Sequence, residues 1–191
     1  FVFTQGMTAQ ANVGPGQAFA TQSFRISPSV SNGIAGASLG AREIKNTMQM
    51  VLRSIDMLSS GTFLIQIVLN GSVSNASPTW TNVGGSSLAQ YINHQTSTLP
   101  SNSAGTLVSG GEVIFAAFTN ASGGVNTFTS TSLDLPLVRD LGNSILGGAL
   151  NNIPGQGVYP DGPDVVTILA TNIGSATANC QARLNWTEAQ A

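Results

Sequence analysis

The side chains that could do chemistry are few: one histidine (His94), one cysteine (Cys180), eight carboxylates and six Lys plus Arg in 191 residues. Acid–base, nucleophilic and metal chemistry all need such groups gathered in one place, and here they are spread thinly along the chain. His94 ends an Ala-Gln-Tyr-Ile-Asn-His stretch with no second His and no Cys near it in sequence. It therefore reads as a solvated or hydrogen-bonded residue rather than a triad base or zinc ligand. Cys180 falls at an apolar position of an alternating run, where a thiol packs as a small hydrophobe; being single, it also excludes an intrachain disulfide. Asp161-Gly162-Pro163-Asp164 places two carboxylates around a turn. Its spacing matches no EF-hand loop, and Pro-Asp-Gly-Pro is turn chemistry, so a turn is preferred over a calcium site. None of Gly84-Gly85, Gly110-Gly111, Gly123-Gly124 or Gly147-Gly148 is followed by Lys-Ser/Thr, so these pairs are turns rather than phosphate loops. The Asn-x-Ser/Thr tripeptides at Asn70, Asn75, Asn120 and Asn185 are expected by chance in so Ser/Thr/Asn-rich a chain. The expectation is a non-enzymatic protein with no catalytic residues, metal or cofactor.

What remains is binding. Charged residues make up 7% of the chain, against about one quarter in an average soluble protein, so the surface is built from neutral hydrogen-bonding groups. A net charge of −2 gives no attraction for nucleic acid. So small a net charge also means weak self-repulsion, which suits a protein packed against copies of itself. No stretch reaches the ~18 to 20 apolar residues of a membrane helix, and no basic-then-apolar signal segment opens the sequence, so it reads as soluble. Trp80, Trp186, Tyr91 and Tyr159 offer rings for sugar stacking; Trp186 fits a core position better, which leaves Trp80, in Pro-Thr-Trp-Thr-Asn, as the candidate for ligand stacking. Phe1 and Phe3 open an aperiodic stretch, residues 1–16, that ends in Asn-Val-Gly-Pro-Gly. It reads either as an arm whose phenylalanines contact a neighbouring subunit or as a strand completing its own sheet.

The elements that must position these residues follow from periodicity. Ala18–Ser27 alternates as a strand with mixed faces. Ile44, Met48, Val51, Ile55 and Leu58 recur at steps of four and three, predicting one long helix over 39–58 between Ser38 as N-cap and Gly61 as stop, with Arg42, Glu43, Lys45, Arg53 and Asp56 on its outer face. Thr62–Asn70 is a buried strand turned by Asn70-Gly71. Ser86–Asn93 and Leu137–Leu146 suit short helices. Glu112–Thr119 is apolar on both faces and so is expected at the centre of a sheet, while Val125–Ser132 is a more exposed strand. Val165–Ile173 and Ala178–Trp186 read as a terminal hairpin, with Ala178, Cys180, Ala182, Leu184 and Trp186 facing inward. Short strands, Gly-rich turns and no βαβ rhythm predict a mainly β fold: an antiparallel β-sandwich or jelly roll carrying one longer and one or two short helices. The arm, 1–16, would precede a single domain over 17–191.

Four stretches, Ser109-Gly110-Gly111-Glu112-Val113-Ile114-Phe115, residues 140–148 (Asp-Leu-Gly-Asn-Ser-Ile-Leu-Gly-Gly), residues 159–167 (Tyr-Pro-Asp-Gly-Pro-Asp-Val-Val-Thr) and the ending from Ala182 to Ala191, resemble a module of virion structural proteins of tailed bacteriophages, particularly those infecting cyanobacteria and marine bacteria. The likeness covers about residues 60–191 and lies in structural punctuation, so it carries no site residue. It implies a β-rich component of the virion surface: a capsid decoration or cement protein, or alternatively a tail fibre or appendage module that binds a receptor or a host-surface glycan. In related chains the module sits within a longer fibre, whereas here it is nearly the whole sequence, which favours the decoration protein. The resemblance further implies a homotrimer whose partners are other virion proteins such as the major capsid protein.

Overall fold

The computed structural model describes residues 2–27, 38–39, 42–43, 49–74, 79–85, 87–94, 105–120, 125–129 and 164–189. Its strands, in chain order, are β1 (Val2–Val13), β2 (Ala18–Ile26), β3 (Ser38–Leu39), β4 (Arg42–Glu43), β5 (Gln49–Ser59), β6 (Phe63–Leu69) and β7 (Ser72–Val73). They continue with β8 (Thr81–Asn82), β9 (Ala89–Asn93), β10 (Val108–Ser109), β11 (Glu112–Phe118), β12 (Val125–Thr129), β13 (Val165–Asn172) and β14 (Ala178–Ala189). The protein is mainly β, every pairing is antiparallel, and no helix occurs among the described residues. Two sheets dominate: a four-stranded one ordered β1-β14-β5-β12 and a six-stranded one ordered β11-β6-β13-β2-β9-β8. One hydrophobic cluster draws Phe24, Ile26, Phe63, Ile65, Ile67, Val166 and Ile168 from the larger sheet, and Ile55, Met57, Cys180, Leu184 and Trp186 from the smaller. Phe24 meets Trp186 across it with ring centroids 5.2 Å apart and planes tilted by 58°, a favourable aromatic geometry.

The expected helix over 39–58 is corrected where the chain is described: residues 38–39 and 42–43 are β3 and β4, and residues 49–59 form β5, a central strand paired with both β14 and β12; residues 40–41 and 44–48 lie outside the described residues. The reason is a bulge. Leu52 faces Trp186 and Ser54 faces Asn185, so Arg53 is an extra residue that shifts the phase of the alternation by one. The inward residues are Met50, Leu52, Ile55, Met57 and Ser59; of the stripe that suggested a helix, Ile55 is inward, Val51 is half-buried, and Ile44 and Met48 lie outside the described residues. Leu58, assigned to the helix core, is exposed.

Ser86–Asn93 is likewise not a helix over its second half: β9 runs beside the buried β2, whose backbone groups need a partner on each side. The expected helix at 137–146 lies outside the described residues. Strand β11 forms as expected but at the edge of its sheet, with Val113 and Phe118 exposed, rather than at the centre. Residues 2–13 are not a free arm. They pair along the whole of β14 as an edge strand, the second of the two readings their sequence allowed.

The terminal hairpin is also corrected. The alternation of β14 is as expected, with Ala178, Cys180, Ala182, Leu184 and Trp186 all buried, yet β13 and β14 belong to different sheets. The link between them is a corner crossing the core. Buried Asn172 builds it, donating from Nδ2 to the carbonyls of Val13 and Ala176 at 2.8 Å each and accepting from the Gly174 N–H at 2.8 Å. The β1–β2 and β5–β6 connections cross at the same end: Gly16 N–H donates to Asn172 O, and Ile173 N–H to Thr62 O. At the β6–β7 and β10–β11 turns, Asn70 (φ 54°) faces Gly111 (φ 79°), where a Cβ would lie 2.6 Å from the Gly71 nitrogen. Glycine is required there, which accounts structurally for the Gly110-Gly111 pair.

Candidate functional site

The outer face of the six-stranded sheet carries the polar groups that face away from the core. Register places Val68, Thr167, Ser23 and Ile92 in one row across β6, β13, β2 and β9, and all four are buried. Ser23 Oγ lies 2.6 Å from Thr167 Oγ1 and 2.7 Å from His94 Nε2. His94, one residue past β9, is held by its own N–H donating to Thr21 O at 3.0 Å. Its Nδ1 is buried without a hydrogen-bond partner, and burial pulls its pKa down from 6.5 to about 4. The ring is therefore neutral at pH 7, and it is hydrogen-bonded, as its scarcity of partners in the sequence suggested. A Ser–His pair at this distance is half of a nucleophilic arrangement; Ser23, however, is only 1% exposed, and the neighbour it engages besides His94 is a hydroxyl.

One row along the same face, Asn82, Gln90 and Arg25 stand side by side on β8, β9 and β2. Arg25 Nε donates to Gln90 Oε1 at 2.9 Å, and Gln90 Nε2 donates to Asn82 Oδ1 at 3.0 Å. The guanidinium carbon sits 4.2 Å from the centroid of the Trp80 ring, a cation–π contact. Trp80 is half-buried, so the ring expected to be an open stacking platform has one face occupied by Arg25. The other aromatics do not join it: Trp186 is in the core, Tyr91 packs against the core cluster, and Tyr159 lies outside the described residues.

Between the sheets, inward-facing Glu188 accepts three hydrogen bonds, from Trp186 Nε1 at 2.9 Å, Leu88 N–H at 2.8 Å and Ser87 Oγ. It ties the last strand of the smaller sheet to the segment entering β9 of the larger. Cys180 is inward and buried, which pushes its thiol up to about 12, the inert state expected of it. Asp164 accepts from Asn70 Nδ2 at 2.7 Å while Asn70 Oδ1 accepts from Val165 N–H at 2.8 Å, so the carboxylate is engaged in turn chemistry; Asp161 lies outside the described residues. Among the described residues no three His, Cys, Asp or Glu side chains gather as a metal site. Phe1 lies outside the described residues, and Phe3 is placed opposite Glu188 in the β1–β14 register.

Reasoning from sequence singled out His94 and Trp80 but missed the partners that define them, Ser23, Thr167, Arg25 and Gln90. One signal pointed to Arg25: it is one of six basic residues and sits inside an otherwise neutral strand. Neither a protein-family model nor a curated protein matches this chain.

Proposed function

We propose that this chain is a non-enzymatic structural module, a β-sandwich of jelly-roll type that coats a phage particle as a decoration or cement protein. On this reading it assembles as a trimer through neutral, shape-complementary surfaces, at the virion surface and against shell proteins such as the major capsid protein. The observation that carries the reading is the set of large apolar side chains on the outside of an almost uncharged protein. Val113 and Phe118 on β11 are 51% and 67% exposed, and Leu58 and Val125, directly opposite each other on β5 and β12, are 41% and 67% exposed. Ser59 Oγ donates to Thr119 Oγ1 at 3.2 Å and thereby ties the end of β11, next to Phe118, to the end of β5, next to Leu58. Large apolar groups exposed on the outer faces of both sheets fit interfaces between copies, and a contact repeated over a particle surface needs only modest strength per copy.

The test is the molecular mass by light scattering for the native chain and for a Phe118→Asp, Val125→Asp double variant. A trimer that the double variant shifts at least tenfold toward monomer is the expected result. A native monomer at every concentration, or a trimer indifferent to both substitutions, would refute it. The glycan-binding alternative has its own observation, the Arg25–Trp80 contact, which leads to the inference below.

A further inference from the structure

We propose that Arg25, Trp80, Gln90 and Asn82 form a binding site for the carboxylate of an acidic sugar. This stands apart from the self-association reading, since solution mass and sugar binding are separate measurements.

Arg25 is half-buried, and its partners among the described residues are a carboxamide and an indole, neither of which neutralises it. Burial lowers the pKa of its guanidinium, so the cation is held in a partly desolvated place with no carboxylate bonded to it among the described residues. The described hydrogen bond uses its Nε donor, which leaves the Nη end, the part of the fork that binds a carboxylate bidentately. Single charge argues for a single anion. Nucleic acid or a polyphosphate would require several cations, and the nearest neighbours in this row are neutral.

The neighbours suit the rest of a sugar. Gln90 is locked between Arg25 and Asn82, so the row presents fixed carboxamides to hydroxyl groups across three strands, a width of roughly 10 Å at the usual strand spacing. Asn82 is exposed, and Trp80 contributes indole surface beside the cation for the apolar face of a ring. The fixed groups reduce the ordering that binding must impose.

The experiment is calorimetric titration of the full chain with tetragalacturonate and with its methyl ester, and with sialyllactose beside lactose. Trp80 emission is followed in parallel, because Trp186 is buried in the core. The expected result is saturable binding of at least one acid, at least tenfold weaker for its neutral counterpart. Arg25→Gln should weaken it tenfold or more, Arg25→Lys severalfold because the charge stays and the fork is lost, and Asn82→Ala severalfold. Trp80→Phe should abolish the fluorescence response while calorimetry still detects binding. Should Arg25→Gln fail to fold, the acid-against-neutral comparison on the native chain still decides. Equal binding of acid and neutral forms, no saturation by either acid, or full binding by a folded Arg25→Gln protein would each overturn the site.

Discussion

Lowering the pH from 7 to 5 should destabilise this protein through His94. In the neutral ring, a proton on Nε2 lets it donate to Ser23 Oγ, and the partnerless Nδ1 then carries only a lone pair. Protonation would put a buried N–H there with no acceptor and would add a partly desolvated charge. The sign follows. The folded value, about 4, lies below the ordinary 6.5, so the folded state binds fewer protons; the contribution is complete above about pH 6.5 and is lost as the pH falls toward 4. Linkage over pH 7 to 5 gives at most ~2 kcal/mol. Because the ring keeps some solvent access, screening reduces this to ~1 kcal/mol, or ~2 to 4 °C in Tm for a chain of this length. The assay is thermal unfolding from pH 7 to 5, above the range where most carboxylates titrate, for the native chain and for His94→Gln, which keeps a partner for Ser23. The native Tm should fall by that amount and the variant's should stay level. Parallel curves for the two proteins would refute the argument.

Glu188→Gln replaces one acceptor oxygen by a donor in a place where both oxygens accept; the stability lost in urea unfolding should be ~1 to 3 kcal/mol, with a smaller loss counting against its inter-sheet role. Asn172→Ala removes three hydrogen bonds at a fully buried corner and should lower stability by ~2 to 4 kcal/mol; a change under ~1 kcal/mol would mean that the backbone alone holds the crossing. Cys180, with its thiol pushed up to about 12 by burial, should resist thiol reagents at pH 8 until the protein unfolds, so rapid labelling of the folded chain would contradict its inward placement.

How far the fold could be read from the sequence depended on whether each strand kept its phase. β14 alternates without interruption from Ala178 to Trp186, and its inward set was legible in full. β5 carries the bulge at Arg53, which breaks its period-two alternation into inward steps of two, three, two and two, while the helical spacing was read from Ile44, Met48, Val51, Ile55 and Leu58, of which Ile55 alone among the described residues belongs to that inward set. The corner after β13 was hidden for another reason. Gly174-Ser175 between two alternating segments is locally indistinguishable from a hairpin turn, and the decision to cross the core is made by Asn172 with Val13, 159 positions away. β11 misled through its composition: apolar residues on both faces suggested a central strand, whereas Val113 and Phe118 are left facing solvent at a sheet edge. The mixed faces of β2, read as ambiguous, belong to a strand inside a sheet with Phe24 in the core on one side and Ser23 buried on the other.

The candidate sites follow the same logic at longer range. His94 and Trp80 were visible because their residue types are scarce, but what each does is set by β2, through Ser23 and Arg25, about 70 and 55 positions earlier in the chain. Successive outward positions of one strand thus serve different ends. Ser23 is buried beneath neutral partners and makes His94 sensitive to acid, while Arg25, two residues on, stays half-exposed with a charge that no partner among the described residues neutralises. In a chain with six basic residues, a guanidinium lodged between an indole and a carboxamide ladder gives up hydration that a random surface position would keep. The incoming carboxylate proposed for it would restore what that placement removes, and a neutral sugar would not. The ester comparison therefore tests the charge argument itself, independently of how well either ligand fits the row.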